Sequence, residues 1–345
     1  MSKVFKKGVL VCPKAANSAS KRAKEALERA GMCVDGPLEL DSVGRGLEGR
    51  DVDAVVLLGT DRDIIRAIHR LGDVDVRFLA LSLPGHIGFF ASATLDDYAT
   101  IERIVSEGEY VEERYMRLRA TTDGRGEVYA FNEVAIFPSR SATTMEYALV
   151  VDGEFMWRDV ADGLLVATPM GSTAYSLSVG GPVVMLGTEA LLVLPVNSVD
   201  ISRRPMVIPS SAKVEIREVV SKYRCELIAD GIQRAPFRES AEVVQDRYVT
   251  LLKAKELKRD TERLAKKQKL AQEIASMPPS AKFVTRVLEE LGQASVLEIA
   301  QNTALPLRTV RHALRVLVAL GLVNRTRDFK DARKNVYKLN PDYSR

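Results

Sequence analysis

Closely spaced hydroxyl side chains and glycines fill the stretch from Ala161 to Gly181, which reads ADGLLVATPMGSTAYSLSVGG. A strand-like apolar run, Leu164 to Ala167, comes before six hydroxyl residues and three glycines. Backbone amides can approach a ligand closely where glycine and alanine remove side-chain bulk, and hydroxyls supply hydrogen bonds. The composition is therefore typical of a surface that binds a polar, planar ligand, or else of an ordinary serine- and glycine-rich loop.

Two further motifs distinguish these alternatives. The whole stretch resembles the GSTAYSLSAGGP-type segment of the ATP-NAD kinase family, which lines a nicotinamide dinucleotide pocket. Asn132-Glu133, within AFNEV, is similar to the family's NE motif, which holds adenine and ribose. Asp230 follows a strand-like run at the place of a late acidic residue that faces the ligand. The resemblance extends over about residues 9–252 and keeps the motifs in the family's order.

This resemblance implies both a fold and a set of ligand contacts. The fold is an NAD kinase-like body, with a Rossmann-like α/β domain, an antiparallel β domain and the ligand between them. The residues implied to contact NAD or NADP in the second domain are Asn132, Glu133, Asp162, Thr173, Ala174, Tyr175, Ser178 and Asp230.

A changed turn stands where the family carries GGDGT. Gly59–Asp63, read as GTDRD, follows a strand-like run and precedes a predicted helix. Asp61 keeps the place of the motif's acid, which is expected to orient or deprotonate the ribose 2'-hydroxyl. Phosphoryl transfer depends on backbone amides and cations that surround the phosphates, and Thr60 and Asp63 replace residues suited to that task. The ATP-handling part of the family site is therefore expected to be eroded.

Arg62 leaves two interpretations open. Its guanidinium could form an ion pair with Asp63, or it could lie near the ribose 2' position and select the phosphate of NADP. The family's next landmark, a GxNxGxxGF-type turn, persists only partly over residues 84–89, and Leu83 stands where asparagine is usual.

Composition excludes several classes of protein. The chain has 345 residues, and its three cysteines and three histidines show neither paired nor metal-ligand spacing. No stretch is long and apolar enough for a signal peptide or a membrane span. We therefore expect no structural metal site and no disulfide framework, and a reducing cytoplasm as the location.

Patterning divides the chain into four parts. We predict an α/β nucleotide-binding domain over residues 1–100, to which 243–252 returns, and a β-rich dinucleotide-binding domain over 101–242. Strands are expected at 54–58, 146–151, 163–167 and 213–216, and helices at 18–30 and 63–71, the first capped by Asn17 or Ser18. A charged helical linker, 253–279, then leads to residues 280–345.

The last part is basic and resembles a winged helix-turn-helix domain. Residues 280–345 contain twelve Lys and Arg against six Asp and Glu, whereas the whole chain carries only +4. Helices are predicted at 283–291, 295–302 and 307–320, followed by a hairpin. By the resemblance, helix 307–320 enters the major groove of DNA and the hairpin forms the wing. The predicted DNA contacts are Arg308, Arg311, His312, Arg315, Arg325, Arg327, Lys330, Arg333 and Lys334. A winged helix that serves only protein contact remains the alternative.

Two functions follow from these parts. The first is a transcription regulator that binds NAD or NADP as an effector and double-stranded DNA as its target, without efficient phosphotransfer. The second is an active NAD kinase, which uses ATP and Mg²⁺, with Asp61 as its catalytic residue and the tail as a regulatory addition. The sequence favours the regulator, because a damaged phosphate turn coincides with an added DNA-binding segment. Either protein is expected to form a homodimer or homotetramer.

Overall fold

The computed structural model describes residues 4–40, 51–71, 76–83, 88–123, 126–255, 278–303, 305–320, 322–327 and 335–339. Several predicted features lie outside these ranges. They are residues 256–277 of the predicted linker 253–279, residues 84–87 of the second turn, and the hairpin tip with Lys330, Arg333 and Lys334. The ends of the linker prediction are wrong, because Lys253 and Ala254 close a β-strand and Pro279 begins a helix.

A parallel α/β unit opens the chain, as the alternation of strand and helix patterns predicts. Its strands are β1 (Lys7–Cys12), β2 (Cys33–Glu39), β3 (Ala54–Gly59), β4 (Arg77–Ser82) and β5 (Ala93–Thr94), and its helices are α1 (Asn17–Arg29), α2 (Asp61–Leu71) and α3 (Tyr98–Ser106). Strand β3 lies between β1 and β4 in parallel pairing and is buried along its whole length. Because α2 begins directly after β3, Asp61 stands at the carboxyl edge of the sheet, where open α/β folds bind ligands.

The next part of the chain is almost entirely β structure. Its strands are β6 (Tyr110–Thr122), β7 (Glu127–Ala130), β8 (Glu133–Pro138), β9 (Met145–Val151), β10 (Glu154–Ala161), β11 (Gly163–Ala167), β12 (Ala190–Val196), β13 (Met206–Pro209), β14 (Val214–Ser221), β15 (Cys225–Ala229), β16 (Gln233–Phe237) and β17 (Ala241–Ala254). A short helix, α4 (Tyr175–Ser178), follows β11.

One eleven-stranded sheet runs through both parts. Strand β17 pairs in parallel with β4, at Leu251 opposite Phe78, and in antiparallel fashion with β6 and β14. The order β2-β1-β3-β4-β17-β14-β9-β10 is therefore continuous, with β5, β6 and β7 attached beside it. Residues 243–252 lie within the strand that joins the two parts, and no break in the sheet marks the predicted boundary at residue 100.

A second, six-stranded antiparallel sheet covers the β-rich half of the first. Its order is β13-β12-β11-β8-β15-β16. The largest apolar core lies between the two sheets and includes Leu149 and Val214 from the first, and Leu164, Val193 and Leu227 from the second. Burial of this size supplies the dominant stabilisation of the body.

The C-terminal residues form a separate small core. Helices α5 (Pro279–Leu291), α6 (Val296–Thr303) and α7 (Leu307–Ala319) accompany a three-stranded sheet of β18 (Gln293–Ser295), β19 (Val323–Arg327) and β20 (Asn335–Leu339). Val310, Ala313, Leu314 and Leu317 form the buried face of α7, as the helical periodicity predicts. Ser295 and Glu298 form the reciprocal hydrogen bonds of a capping box at the start of α6.

Two helix starts differ from the sequence prediction. Helix α1 has Ala16 at its N-cap with no side-chain cap, and Ser18 lies inside the helix, so the predicted cap is wrong. Helix α2 begins at Asp61 rather than Asp63, because Thr60 and Asp63 exchange hydrogen bonds and extend the helix by two residues. Its end at Leu71 is as predicted. No helix among the described residues is long and apolar enough to cross a membrane.

Candidate functional site

The NE motif and the hydroxyl-rich stretch meet at one edge of the six-stranded sheet. Glu133 begins β8 and pairs with Ala167, which ends β11. Since the two strands are antiparallel, the residues before β8 and after β11 leave the sheet on the same side. Two motifs that lie more than thirty residues apart in the sequence are thereby brought into contact.

Hydrogen bonds to backbone groups hold these two motifs together. Thr168 donates its amide to the carbonyl of Asn132 and its hydroxyl to the carbonyl of Phe131. Gly171 donates its amide to the Thr168 hydroxyl at 3.2 Å. A Cβ atom on Gly171 would lie 1.9 Å from the carbonyl oxygen of Asn132, so only glycine fits here. Gly171, the first residue of the GST sequence (residues 171–173), therefore permits close packing against residues 131–133, the NE loop.

The buried carboxylate of Asp230 holds the NE loop in place by accepting its backbone amides. Its side chain is 0% exposed, and its carboxylate accepts the amides of Phe131, Asn132 and Glu133 at 2.7 to 3.2 Å. His69 of α2 donates to the same carboxylate from Nε2, at 3.2 Å. Asp230 thus organises the loop from the protein side, and its predicted direct contact with a dinucleotide stays a prediction.

Sequence reasoning missed His69, which connects α2 with the NE loop. The imidazole stacks on Phe131 with a ring separation of 5.3 Å, and its buried Nδ1 has no hydrogen-bond partner among the described residues. A histidine on the apolar face of α2, beside Ile65 and Ile68, was the available signal. It was not sufficient, because the sequence does not show that α2 lies against Asp230.

Tyr175 offers an open aromatic face in this region. The pKa of its hydroxyl is raised, mainly by partial burial and further by the charges of Glu133 and Asp162. The Tyr175 ring is 40% exposed and stacks on Phe137. The Asp162 carboxylate accepts a hydrogen bond from the side-chain amide (Nδ2) of Asn197 at 2.8 Å. An open aromatic face with carboxylates beside it can stack on a planar group and accept hydrogen bonds from hydroxyls or amines.

Other residues of the predicted set surround this surface. Ser178 is exposed and Ala174 is half-buried, both next to Tyr175, whereas Thr173 is buried and donates to the carbonyl of Met170 at 3.4 Å. Asn132 keeps a half-buried side chain at the start of β8. The structure therefore brings the NE motif and the residues that follow β11 together, whereas Asp162 directly precedes β11 and lies at the opposite end of that strand from Thr168.

Asp61 is fixed by a neighbouring turn. Its carboxylate accepts the amide of Phe89 at 2.7 Å and that of Phe90 at 3.0 Å. A Cβ on Gly88 would lie 2.6 Å from Asp61 Oδ1, so this glycine makes room for the carboxylate. The acid predicted to act on a ribose hydroxyl is half-buried and held in one orientation at the end of β3.

Asp63 does not point its charge outward. Its Oδ2 accepts from the Thr60 amide at 3.0 Å and from the Thr60 hydroxyl at 2.7 Å, and the Asp63 amide is 3.3 Å from that hydroxyl. These bonds form a capping box at the start of α2. Arg62 is exposed, and within the described residues Asp63 bonds to Thr60 and not to Arg62, so the predicted ion pair is not formed.

A cavity of about 740 Å³ lies away from the NE motif, beyond the opposite end of β8, and is lined by residues that include Arg140 and Tyr223. No group of three or more His, Cys, Asp or Glu side chains in these ranges is placed to hold a metal ion.

In the C-terminal unit, the described members of the predicted DNA-contacting set are exposed. They are Arg308, Arg311, His312 and Arg315 on α7, and Arg325 on β19. Arg327 is the last residue of β19, and its side chain lies outside the described part of the structure. The α7 residues lie opposite the buried face of that helix.

Comparison with known proteins identifies the body. Residues 131–252 match the model of the ATP-NAD kinase C-terminal domain. The chain is 35% identical over 223 residues to the NAD kinase of Methanoregula boonei, a match that covers 64% of this chain and 81% of that protein. It is 36% identical to the NAD kinase of Methanopyrus kandleri, with 53% of this chain and 66% of that protein covered.

Solved structures show the same fold. An Archaeoglobus fulgidus NAD kinase in complex with ATP matches with a TM-score of 0.61 at 24% identity, over 76% of this chain and 98% of that one. Yeast NADH kinase complexed with NADH matches with a TM-score of 0.62 at 21% identity, over 76% and 86% of the two chains. With the extended sequence match to an archaeal NAD kinase and the packed NE and GST motifs, the chain belongs to the NAD kinase family.

Proposed function

We propose that the body is an NAD kinase, which transfers the terminal phosphoryl group of ATP to the ribose 2'-hydroxyl of NAD. The observation that carries this proposal is the fixed Asp61 carboxylate at the carboxyl edge of β3. Relatives named NAD kinase support this function over the regulator that the sequence alone favoured.

Asp61 accepts the proton of the 2'-hydroxyl in this proposal, while the hydroxyl oxygen forms a bond to the γ-phosphorus of ATP. The bond from that phosphorus to the β–γ bridging oxygen breaks, and ADP leaves with the bridging oxygen. Two amide donors hold the carboxylate so that it does not have to reorganise. The surface of Tyr175, Glu133 and Asp162 binds the dinucleotide. Mg²⁺ accompanies ATP, and we assign it no ligand in this chain.

A coupled assay of NADP formation tests the proposal, with ATP, polyphosphate and Mg²⁺ supplied to wild type and Asp61→Asn. We expect turnover in the wild type and a fall of about 10² to 10⁴ in the variant, the usual contribution of a general base. Calorimetry on the same samples measures dinucleotide affinity, which should change little. A wild type that binds the dinucleotide but forms no NADP would contradict the kinase and leave a dinucleotide sensor.

A second function concerns the C-terminal unit. We propose that residues 280–345 form a winged helix that binds double-stranded DNA. This proposal is supported by the exposed basic side chains on α7. They lie opposite the apolar face of the helix, which is buried in the C-terminal core. Arginine on a groove-entering helix reads guanine edges, and cations on a hairpin hold phosphates. In an assembly of two chains the dinucleotide could alter the spacing of two such units and so regulate transcription.

Mobility-shift titrations against a random DNA pool test this second function. Arg308→Ala combined with Arg311→Ala should reduce DNA affinity at least about tenfold, since each specific contact contributes about 1 to 3 kcal/mol. The control pair, Arg224→Ala with Arg238→Ala, removes two exposed arginines from the body. DNA binding that survives the α7 double substitution would refute the assignment of α7 as the helix that enters the major groove.

Light scattering tests the expected assembly, because it distinguishes a dimer from a tetramer.

Arg62 is proposed to set the preference between dinucleotides. Its exposed guanidinium follows Asp61 directly and does not pair with Asp63, so it is available to a 2'-phosphate. Arg62→Ala should weaken NADP binding about tenfold and NAD binding by less than about twofold, because only NADP offers a phosphate to the guanidinium. Equal losses for the two ligands in calorimetry would exclude this role.

A further inference from the structure

Lys253 is an unusual residue for its position. It lies near the end of β17, directly after Leu251 and Leu252, and it is 0% exposed. A buried ammonium is costly unless it is fully hydrogen-bonded, and lysine is seldom found in such a place. The proposed kinase mechanism gives this side chain no role.

Its contacts lead to Asp61. The Lys253 ammonium donates to the carbonyl of Phe89 at 2.9 Å and to that of Ala91 at 3.1 Å. The carbonyl of Phe89 and the amide of Phe90 belong to the same peptide group, and that amide donates to Asp61 at 3.0 Å. A chain of hydrogen bonds thus runs from the ammonium through one peptide group to the carboxylate.

Such a chain has a physical consequence. A cation that bonds to the carbonyl of a peptide group polarises its N–H, which becomes a stronger donor to an anion on the other side. Lys253 also lies 6.0 Å from the centre of the Tyr115 ring, whose face favours a cation. The turn itself is fixed by Ser92, which donates its amide to Ala80 and its hydroxyl to Leu252.

We propose that Lys253 is a positioning residue, which holds the Asp61 carboxylate in its orientation through the peptide group between Phe89 and Phe90. Lys253 touches neither proposed substrate in this arrangement. Its effect passes through the turn, so it should alter the catalytic step and not the binding of the dinucleotide.

The kinetic test compares Lys253→Met and Lys253→Gln with wild type, and it rests on the proposed kinase function. Lys253→Met should lower kcat about tenfold to a hundredfold while the KM for NAD changes less than about twofold. Lys253→Gln keeps a neutral donor and should recover part of the loss. Arg117→Met, which removes another fully buried cation, one paired with Asp246, controls for the loss of any buried charge and should keep kcat. A change confined to KM would overturn the proposal.

A second test is independent of turnover. Urea midpoints are measured for wild type, Lys253→Met, Asp61→Asn and the double variant. If the two groups are linked, Lys253→Met will shift the midpoint much less in the Asp61→Asn protein than in wild type. Equal shifts in both backgrounds would overturn the proposal, and Lys253→Gln supplies the same cycle if the Met variant does not fold. If Lys253 and Asp61 are coupled but the wild-type protein forms no NADP, the proposed kinase function is refuted and the link between the two residues stands.

Discussion

Two regions of the site are built differently. The NE–GST cluster, which comprises residues 131–133, 168–173 and Asp230, is held by close backbone packing at Gly171, by the Thr168 hydroxyl and by one buried carboxylate. The β3–α2 turn, residues 59–63, is held by the side chains of Thr60 and Asp63. Backbone packing leaves little freedom for substitution, whereas a turn closed by side chains can change its residues and still start the same helix. This difference explains how the NE and GST motifs can keep the family pattern while the β3–α2 turn departs from it.

The largest effect is expected from Gly171→Ala, which attacks the NE–GST cluster directly. The new methyl group would lie 1.9 Å from the Asn132 carbonyl oxygen, so the two loops must separate. We expect the unfolding free energy to fall by about 3 kcal/mol or more, because the clash is with backbone, and dinucleotide affinity to fall at least about tenfold. Thermal unfolding and calorimetry measure the two effects. Ser139→Ala, an exposed change beyond the other end of β8, is the control. Unchanged affinity in Gly171→Ala would show that the cluster is not the ligand surface.

Asp230→Asn is expected to have the next largest effect. Asparagine has nearly the same shape, but its amide nitrogen cannot accept hydrogen bonds from the NE loop. The loss of charge-assisted bonds at a buried site should lower the unfolding free energy by about 2 to 3 kcal/mol. Asp123→Asn offers a matched control, because Asp123 also accepts backbone amides, those of Glu239 and Ser240, but is exposed. Equal losses in urea titrations of the two variants would contradict the importance of burial.

Asp63→Thr sharpens the comparison from the other side, since it restores the family's residue to the β3–α2 turn. It removes a negative charge from the turn beside Asp61, where the proposed kinase would hold the phosphates of ATP, and it releases the Thr60 amide. We expect NADP formation to rise about tenfold, equal to about 1.4 kcal/mol of transition-state stabilisation. Asp63→Asn removes the charge but keeps an acceptor for Thr60, and should give a smaller rise. A rate that falls in both variants would mean that Asp63 supports catalysis.

The smallest effect concerns Cys225, at the far end of β15 from Asp230. Burial raises the pKa of its thiol from 9.0 to about 11. A raised pKa in the folded state means that the native protein holds the proton more tightly than the unfolded chain. This contribution to stability is therefore complete below pH 9 and is lost as the pH rises through about 11. Urea titrations of wild type should show that decline, and Cys225→Ala should reduce it. An identical pH dependence in both proteins would exclude the thiol as its source.

Much of the body could be predicted from local patterns. The periodicity of β3 and α2, the β-rich middle and the buried face of α7 are properties of short windows, and the structure has these elements within a few residues of their predicted limits. The start of α2 was misplaced, because its cap depends on a reciprocal pair whose hydrogen bonds a residue pattern does not show.

The motifs that identify the family could likewise be recognised in the sequence. Asn132-Glu133 and the GST sequence are recognisable because close packing of Gly171 on the NE loop permits few alternatives. The roles of Asp230, His69 and Lys253 were not legible, because each depends on contacts between residues that are far apart in the chain.

Local periodicity and short motifs were enough to predict most elements, the family of the body and the acid at the end of β3. The burial of Asp230 beneath the NE loop, the hydrogen bonds from Thr60 to Asp63, and the path from Lys253 to Asp61 through one peptide group became visible only in the folded chain. Hydrogen bonding and burial depend on distances in space, and β17 returns to the first sheet about 190 residues after Asp61.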